Sequence, residues 1–170
     1  PLISRRLLQE IAKKSLTPYF VRDDFGYMGF RGGRPNNWNP WVNYNMLTSY
    51  LLLETDPVKK VAEVQKIINS LDKFLNGYSD DGGCDEGPSY WGAAGALLYE
   101  SLEILKNITG GKFDVFNDPL IQNIGKYFYK ANIHAPYFIN FADAAATTGG
   151  NDSIVYRYGK AINDQVMWKF

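Results

Sequence analysis

The sequence predicts an all-α fold, and two observations carry that prediction. Apolar residues recur at helical spacing along most of the chain. Prolines also recur directly after a polar residue or glycine, the arrangement that opens helices (Asn39-Pro40, Asp56-Pro57, Gly87-Pro88 and Asp118-Pro119). With 170 residues, 45% apolar and 21% charged, the chain is long enough for a sizeable core and too apolar to stay disordered.

The elements follow in order. Residues 2–14 place Leu2, Ile3, Leu7, Leu8 and Ile11 on one stripe of a first helix. Pro18, Gly26, Gly29, Gly32, Gly33 and Pro35 then interrupt the pattern, so 17–38 reads as a long loop with an extended piece around Tyr27–Phe30. Asn39-Pro40 opens a helix to about Glu54, and Asp56-Pro57 opens one to Asn76, where Gly77 stops it. Val61, Val64, Ile68, Leu71 and Phe74 give this second helix a single apolar stripe, as expected of an outer helix. Gly87-Pro88 opens a helix to about Lys106, stopped by Gly110-Gly111, and Asp118-Pro119 opens one to about Asn132. A last helix follows Asp152. Tyr50–Leu53 and Trp91–Leu98 are apolar nearly all round and belong in a buried layer, with Gly92 and Gly95 allowing close approach. Residues 136–142 are too short and aromatic for a helix and read as extended. Inner and outer helices in alternation imply a layered α/α arrangement without an internal domain boundary.

Composition narrows the function. Eighteen basic residues balance eighteen acidic ones, which argues against a nucleic-acid partner. No apolar run approaches membrane-spanning length. One cysteine, Cys84, leaves no internal disulfide and no cysteine-built zinc site, and its acidic neighbours make it a poor nucleophile. The aromatic content of 15%, rich in tyrosine and accompanied by clustered asparagines, suits either a sugar cleft or half-buried rings between core and surface.

Two stretches concentrate chemistry. In the first, Arg31, Arg34, Asn36, Asn37, Trp38, Asn39 and Trp41 crowd the entry to a helix. Guanidinium and amide donors there suit a carboxylate or sulfate. The same stretch also reads as a capping loop, with Asn39 as cap and both indoles anchored in the core. In the second, Asp80, Asp81, Asp85 and Glu86 lead into Pro88-Ser89-Tyr90-Trp91. Acidic residues are favoured before a helix N-terminus, and their spacing does not match an EF-hand. His134 reads as a helix-end or surface residue without a role.

Asn36-Asn37-Trp38-Asn39-Pro40-Trp41, Asp81-Gly82-Gly83-Cys84-Asp85-Glu86-Gly87-Pro88-Ser89-Tyr90-Trp91 and Asn140-Phe141-Ala142-Asp143 together resemble the heparinase II/III-like polysaccharide lyases. The resemblance spans roughly residues 30–145. It implies an α/α toroid, a double-layered helical barrel, followed by a β-sandwich domain. It also implies β-elimination on a uronate-containing, glycosaminoglycan-type polysaccharide in a bacterial periplasm or outside the cell, without cofactor or metal. On that basis Asn37 is the amide that neutralises the uronate carboxylate and Tyr90 the catalytic tyrosine. Arg31, Arg34, Asn36, Trp38, Trp41, Glu86, Trp91 and Asn140 bind, line or support the substrate cleft. Many relatives carry histidine directly after the clamp asparagine; Trp38 stands there here, which removes a histidine base at that position. The helices are too few to close such a ring, so the whole chain, 1–170, is expected to be an arc of a toroid, lacking the β-sandwich and inactive alone. An α/α-barrel glycoside hydrolase using the Asp/Glu cluster and a non-catalytic carbohydrate-binding module are the alternative readings.

Overall fold

A computed structural model of the chain describes residues 2–170. The fold is mostly helical, and among the described residues there is one sheet, of two short strands. Where the sequence reading places no boundary, the chain divides into two compact units, the first ending at Asn76 and the second starting at Gly77.

The first unit opens with α1 (Leu2–Ile11), which runs through a π turn (Ala12–Leu16) into α2 (Thr17–Val21). The helix expected to end near 14 therefore continues past Pro18. The π turn is the reason: the Thr17 N–H reaches back to the Ala12 carbonyl, and this wider turn admits Pro18 at the start of α2, where its missing N–H costs least. A 3-10 turn (Gly26–Met28) replaces the extended piece expected near Tyr27 and buries Met28 completely. Gly29 then takes a φ of +76°, and a Cβ there would lie 2.7 Å from both Lys73 Cβ and Pro35 Cγ.

α3 (Trp38–Leu53) packs along α4 (Pro57–Leu75), which the Asp56 side chain caps by accepting from the Val58 and Lys59 N–H groups. The buried face of α4 is Glu63, Ile67, Ser70, Leu71 and Phe74, not the expected row through Val61, Val64 and Ile68. Polar bonding sets this rotation, because Ser70 must face inward to meet Asn39 and Asn43 of α3. The buried run expected at Tyr50–Leu53 holds only at Tyr50; Leu52 is exposed. α1 buries no residue, and Leu2, Ile3, Leu7 and Leu8 are exposed.

The second unit holds a 3-10 turn (Pro88–Gly92), α5 (Gly95–Ile108), α6 (Pro119–Lys130), an antiparallel pair β1 (Asn132–His134) and β2 (Tyr137–Phe138), and α7 (Asp152–Ala161). The single helix expected from Pro88 to Lys106 is thus broken at Ala93-Ala94. The break lets the chain fold back on itself: a Cβ on Gly95 would lie 2.5 Å from Trp91 Nε1, and that nitrogen donates to the Ile124 carbonyl at 2.7 Å. The expected extension at 136–142 contains β2, and His134 lies exposed in β1, not at a helix end.

Much of the aromatic content is spent in this core. Trp91 stacks on Phe128 with ring centroids 4.6 Å apart, and Tyr99 stacks on Tyr158 at 4.5 Å. Tyr158 is fully buried and donates to the Ile121 carbonyl at 2.6 Å, satisfying the hydroxyl that burial would otherwise strand. Arg157 of α7 holds Glu100 and Glu103 of α5, fastening the two helices by their outer edge.

Candidate functional site

The residues singled out in the sequence fall into two groups, one in each unit. In the first unit, Gly32 and Gly33 both take positive φ, +88° and +85°, and carry the chain around to Pro35, which is buried. This turn, with Gly26, Tyr27, Arg34, Asn36 and Trp38, walls an open depression of about 500 Å³. Arg31, Arg34 and Asn36 are exposed, and the Asn36 Oδ1 accepts from the Trp38 N–H at 3.2 Å. Asn37 is buried at the N-cap of α3. Trp38 and Trp41 stand half out of the surface, edge to face at 6.0 Å. They do not anchor the loop in the core, as a capping loop would require. Their faces remain available to a ligand with apolar C–H surfaces.

Asn39 does not cap the helix either. It is fully buried, and its Nδ2 donates to the Tyr27 carbonyl at 2.7 Å and to the Ser70 carbonyl and Oγ at 3.0 Å each. Its Oδ1 accepts from Asn43 Nδ2 at 3.0 Å, while Tyr19 donates to Asn43 Oδ1. Ser70 Oγ in turn donates to the Met28 carbonyl at 3.1 Å. This buried amide network holds the Tyr27–Met28 turn against α3 and α4, and so positions the wall of the depression. Sequence reasoning missed it, although Asn39 and Asn43 at i, i+4 on a helix are a legible signal for two amides on one face. Burial of Tyr19 raises its hydroxyl pKa well above the ordinary tyrosine value, so it stays a donor.

The second unit brings two stretches together that lie some fifty residues apart in the chain. Gly87 takes a φ of +90°, and a Cβ there would lie 2.4 Å from Ala144 Cβ and 2.8 Å from the Phe141 carbonyl oxygen. Two residues on, Ser89 Oγ accepts the Ala145 N–H at 3.0 Å. The 141–145 turn is thereby clasped to the 3-10 turn that bears Tyr90. At the other end of the acidic loop, Gly82 (φ +77°) presses on the Asn123–Ile124 peptide, and Asn123 Nδ2 donates to the Asp80 carbonyl at 2.9 Å. Neither clasp was read from the sequence; Gly82 within the acidic run and Gly87 directly after it were the visible trace.

Tyr90 and Glu86 are half-buried in this frame, and Asn140 is exposed. Trp91 is not a lining residue: it is 1% exposed, so of the roles expected for it only support from beneath fits. Asp81 turns inward on its own loop, its Oδ1 accepting the Gly83 N–H at 2.9 Å, and that bond holds its carboxyl below the usual range. Burial, reinforced by Asp85 and Glu86, pushes the Cys84 thiol up to about 11. Among the described residues no three His, Cys, Asp or Glu side chains converge as a metal site would require, and no helix is long and apolar enough to cross a membrane. No protein-family model matches the chain, and no curated protein matches it.

Proposed function

We propose that the chain is the lyase region of a heparinase II/III-like polysaccharide lyase, an arc of an α/α toroid that cleaves a uronate-containing polysaccharide by β-elimination. The observation that carries this reading is the clasp in the second unit. It unites the Asp81–Trp91 and Asn140–Asp143 stretches, two of the three that make up the resemblance, around a half-buried Tyr90. The pairing of α3 with α4 is in keeping with a layered α/α arrangement. The open depression beside Trp38 and Arg34 supports sugar binding in the first unit.

The chemistry assigns each group a task. The C5 proton lies α to the uronate carboxylate and becomes removable once the carboxylate charge is offset by donors, the role the resemblance gives to Asn37. Tyr90 takes that proton, the C5 electrons form the C4–C5 double bond, and the C4–O bond breaks. The leaving oxygen is then protonated, by the same tyrosine or by water. Trp38 and Trp41 offer ring faces to the sugar, and Glu86 and Asn140 hold its surroundings. Such a protein belongs in the periplasm or outside the cell, where its polymer is found.

The product distinguishes this reading from its rivals. Digestion of uronate polymers yields a double bond conjugated to the carboxylate, which absorbs in the ultraviolet. A hydrolase releases reducing ends without that absorbance, and a binding module retains sugar affinity with neither product. Reducing ends appearing without ultraviolet absorbance would overturn the lyase assignment.

A further inference from the structure

Glu63 lies in the middle of the buried face of α4, its side chain without solvent exposure, in the row that packs on α3. Lys59 Nζ pairs with its Oε1 at 3.3 Å and also donates to Glu54 Oε2 at 2.5 Å. Neither Glu63 oxygen receives a hydrogen bond. A buried carboxylate in this state is costly when charged and much less so when protonated.

The groups that face it pull in opposite directions. Lys59 and Lys60 of α4 favour the charged form, and Glu54 at the end of α3 opposes it. Tyr50 of α3 is also close enough to feel the Glu63 charge, but its hydroxyl is engaged, donating to the Leu16 carbonyl at 2.6 Å. Burial outweighs the lysines, and the Glu63 pKa is raised.

We infer that Glu63 makes the pairing of α3 with α4 proton-sensitive, so that the helical hairpin carrying Asn37, Trp38 and Ser70 closes more firmly in mildly acidic surroundings than at neutral pH. The sign follows from linkage. A carboxyl whose folded pKa exceeds its unfolded value binds a proton more tightly when folded. Its stabilising contribution is complete below the unfolded value, near 4.3 for glutamate, and is lost as pH rises through the folded one. This inference does not rest on the lyase reading.

Hydrogen exchange along 57–75, corrected for the intrinsic pH dependence of exchange, tests it on the whole chain. In the parent, α4 should open less at pH 5 than at pH 7.5, by about threefold or more. Glu63→Gln should abolish most of that dependence. Lys59→Met is the second arm: without the cation the Glu63 pKa rises further, so the dependence should grow and move toward neutral pH. A parent helix whose exchange is flat between those pH values overturns the inference, as does a Glu63→Gln variant that keeps the parent's dependence. If Glu63→Gln does not fold, an unchanged dependence in Lys59→Met overturns it.

Discussion

Gly87 and Ala144 meet so closely that a Cβ on the glycine would lie 2.4 Å from the alanine Cβ, a separation only glycine permits. The positive φ of Gly87 adds a second reason for the residue. Gly87→Ala should therefore force the 141–145 turn away from Gly87 and Ser89 and lower the stability of the second unit by about 3 kcal/mol. Urea denaturation measures this. A variant as stable as the parent would remove the clasp from the account.

The amide network of the first unit should be as sensitive. Asn39→Ala removes at once the donor to the Tyr27 carbonyl and to Ser70 and the acceptor that Asn43 uses, all in a buried setting. A loss of about 3 kcal/mol is expected, with faster hydrogen exchange in both α3 and α4. Loss confined to the Tyr27 turn would mean that the network does not tie the two helices together.

The tryptophans should separate by location. Trp38→Ala and Trp41→Ala should each cost about 1 kcal/mol or less, because both side chains stand half out of the surface. Each should weaken binding of uronate oligosaccharides about tenfold, measured by calorimetry. Trp91→Ala should cost about 3–5 kcal/mol, since it empties a stacked core position and frees the Ile124 carbonyl.

Cys84 provides a pH test. Its thiol is buried and raised to about 11, so only about one molecule in a thousand carries the thiolate at pH 8. Iodoacetamide should label the folded chain slowly at pH 8, faster as pH rises toward the thiol pKa, and rapidly once urea unfolds it. Equal labelling of folded and unfolded chains at pH 8 would contradict the burial of Cys84.

The helix starts were the most legible part of the fold, because Asp56-Pro57 and Asp118-Pro119 combine a side-chain cap with a proline that fits only the first turn. What could not be read was set by partners distant in the chain. The rotation of α4 depends on Ser70 finding two asparagines of α3, and the break at Ala94 depends on where the Trp91 indole finds its carbonyl. The candidate site was legible as composition in Asn36–Trp41 and Asp81–Trp91. Its assembly was not, because the partners of Gly87 and Ser89 lie more than fifty residues away and include backbone groups, the Phe141 carbonyl and the Ala145 N–H, which every residue possesses.

The proposed β-elimination turns on proton transfer by Tyr90. The most direct measurement compares wild type and Tyr90→Phe, each in the longest form the gene encodes, by ultraviolet absorbance during digestion of a uronate polysaccharide. Absorbance should rise with the wild type, and its rate should fall by about 10²–10⁴-fold in the variant at an unchanged unfolding midpoint. A variant that forms the unsaturated product at the wild-type rate would contradict that role of Tyr90.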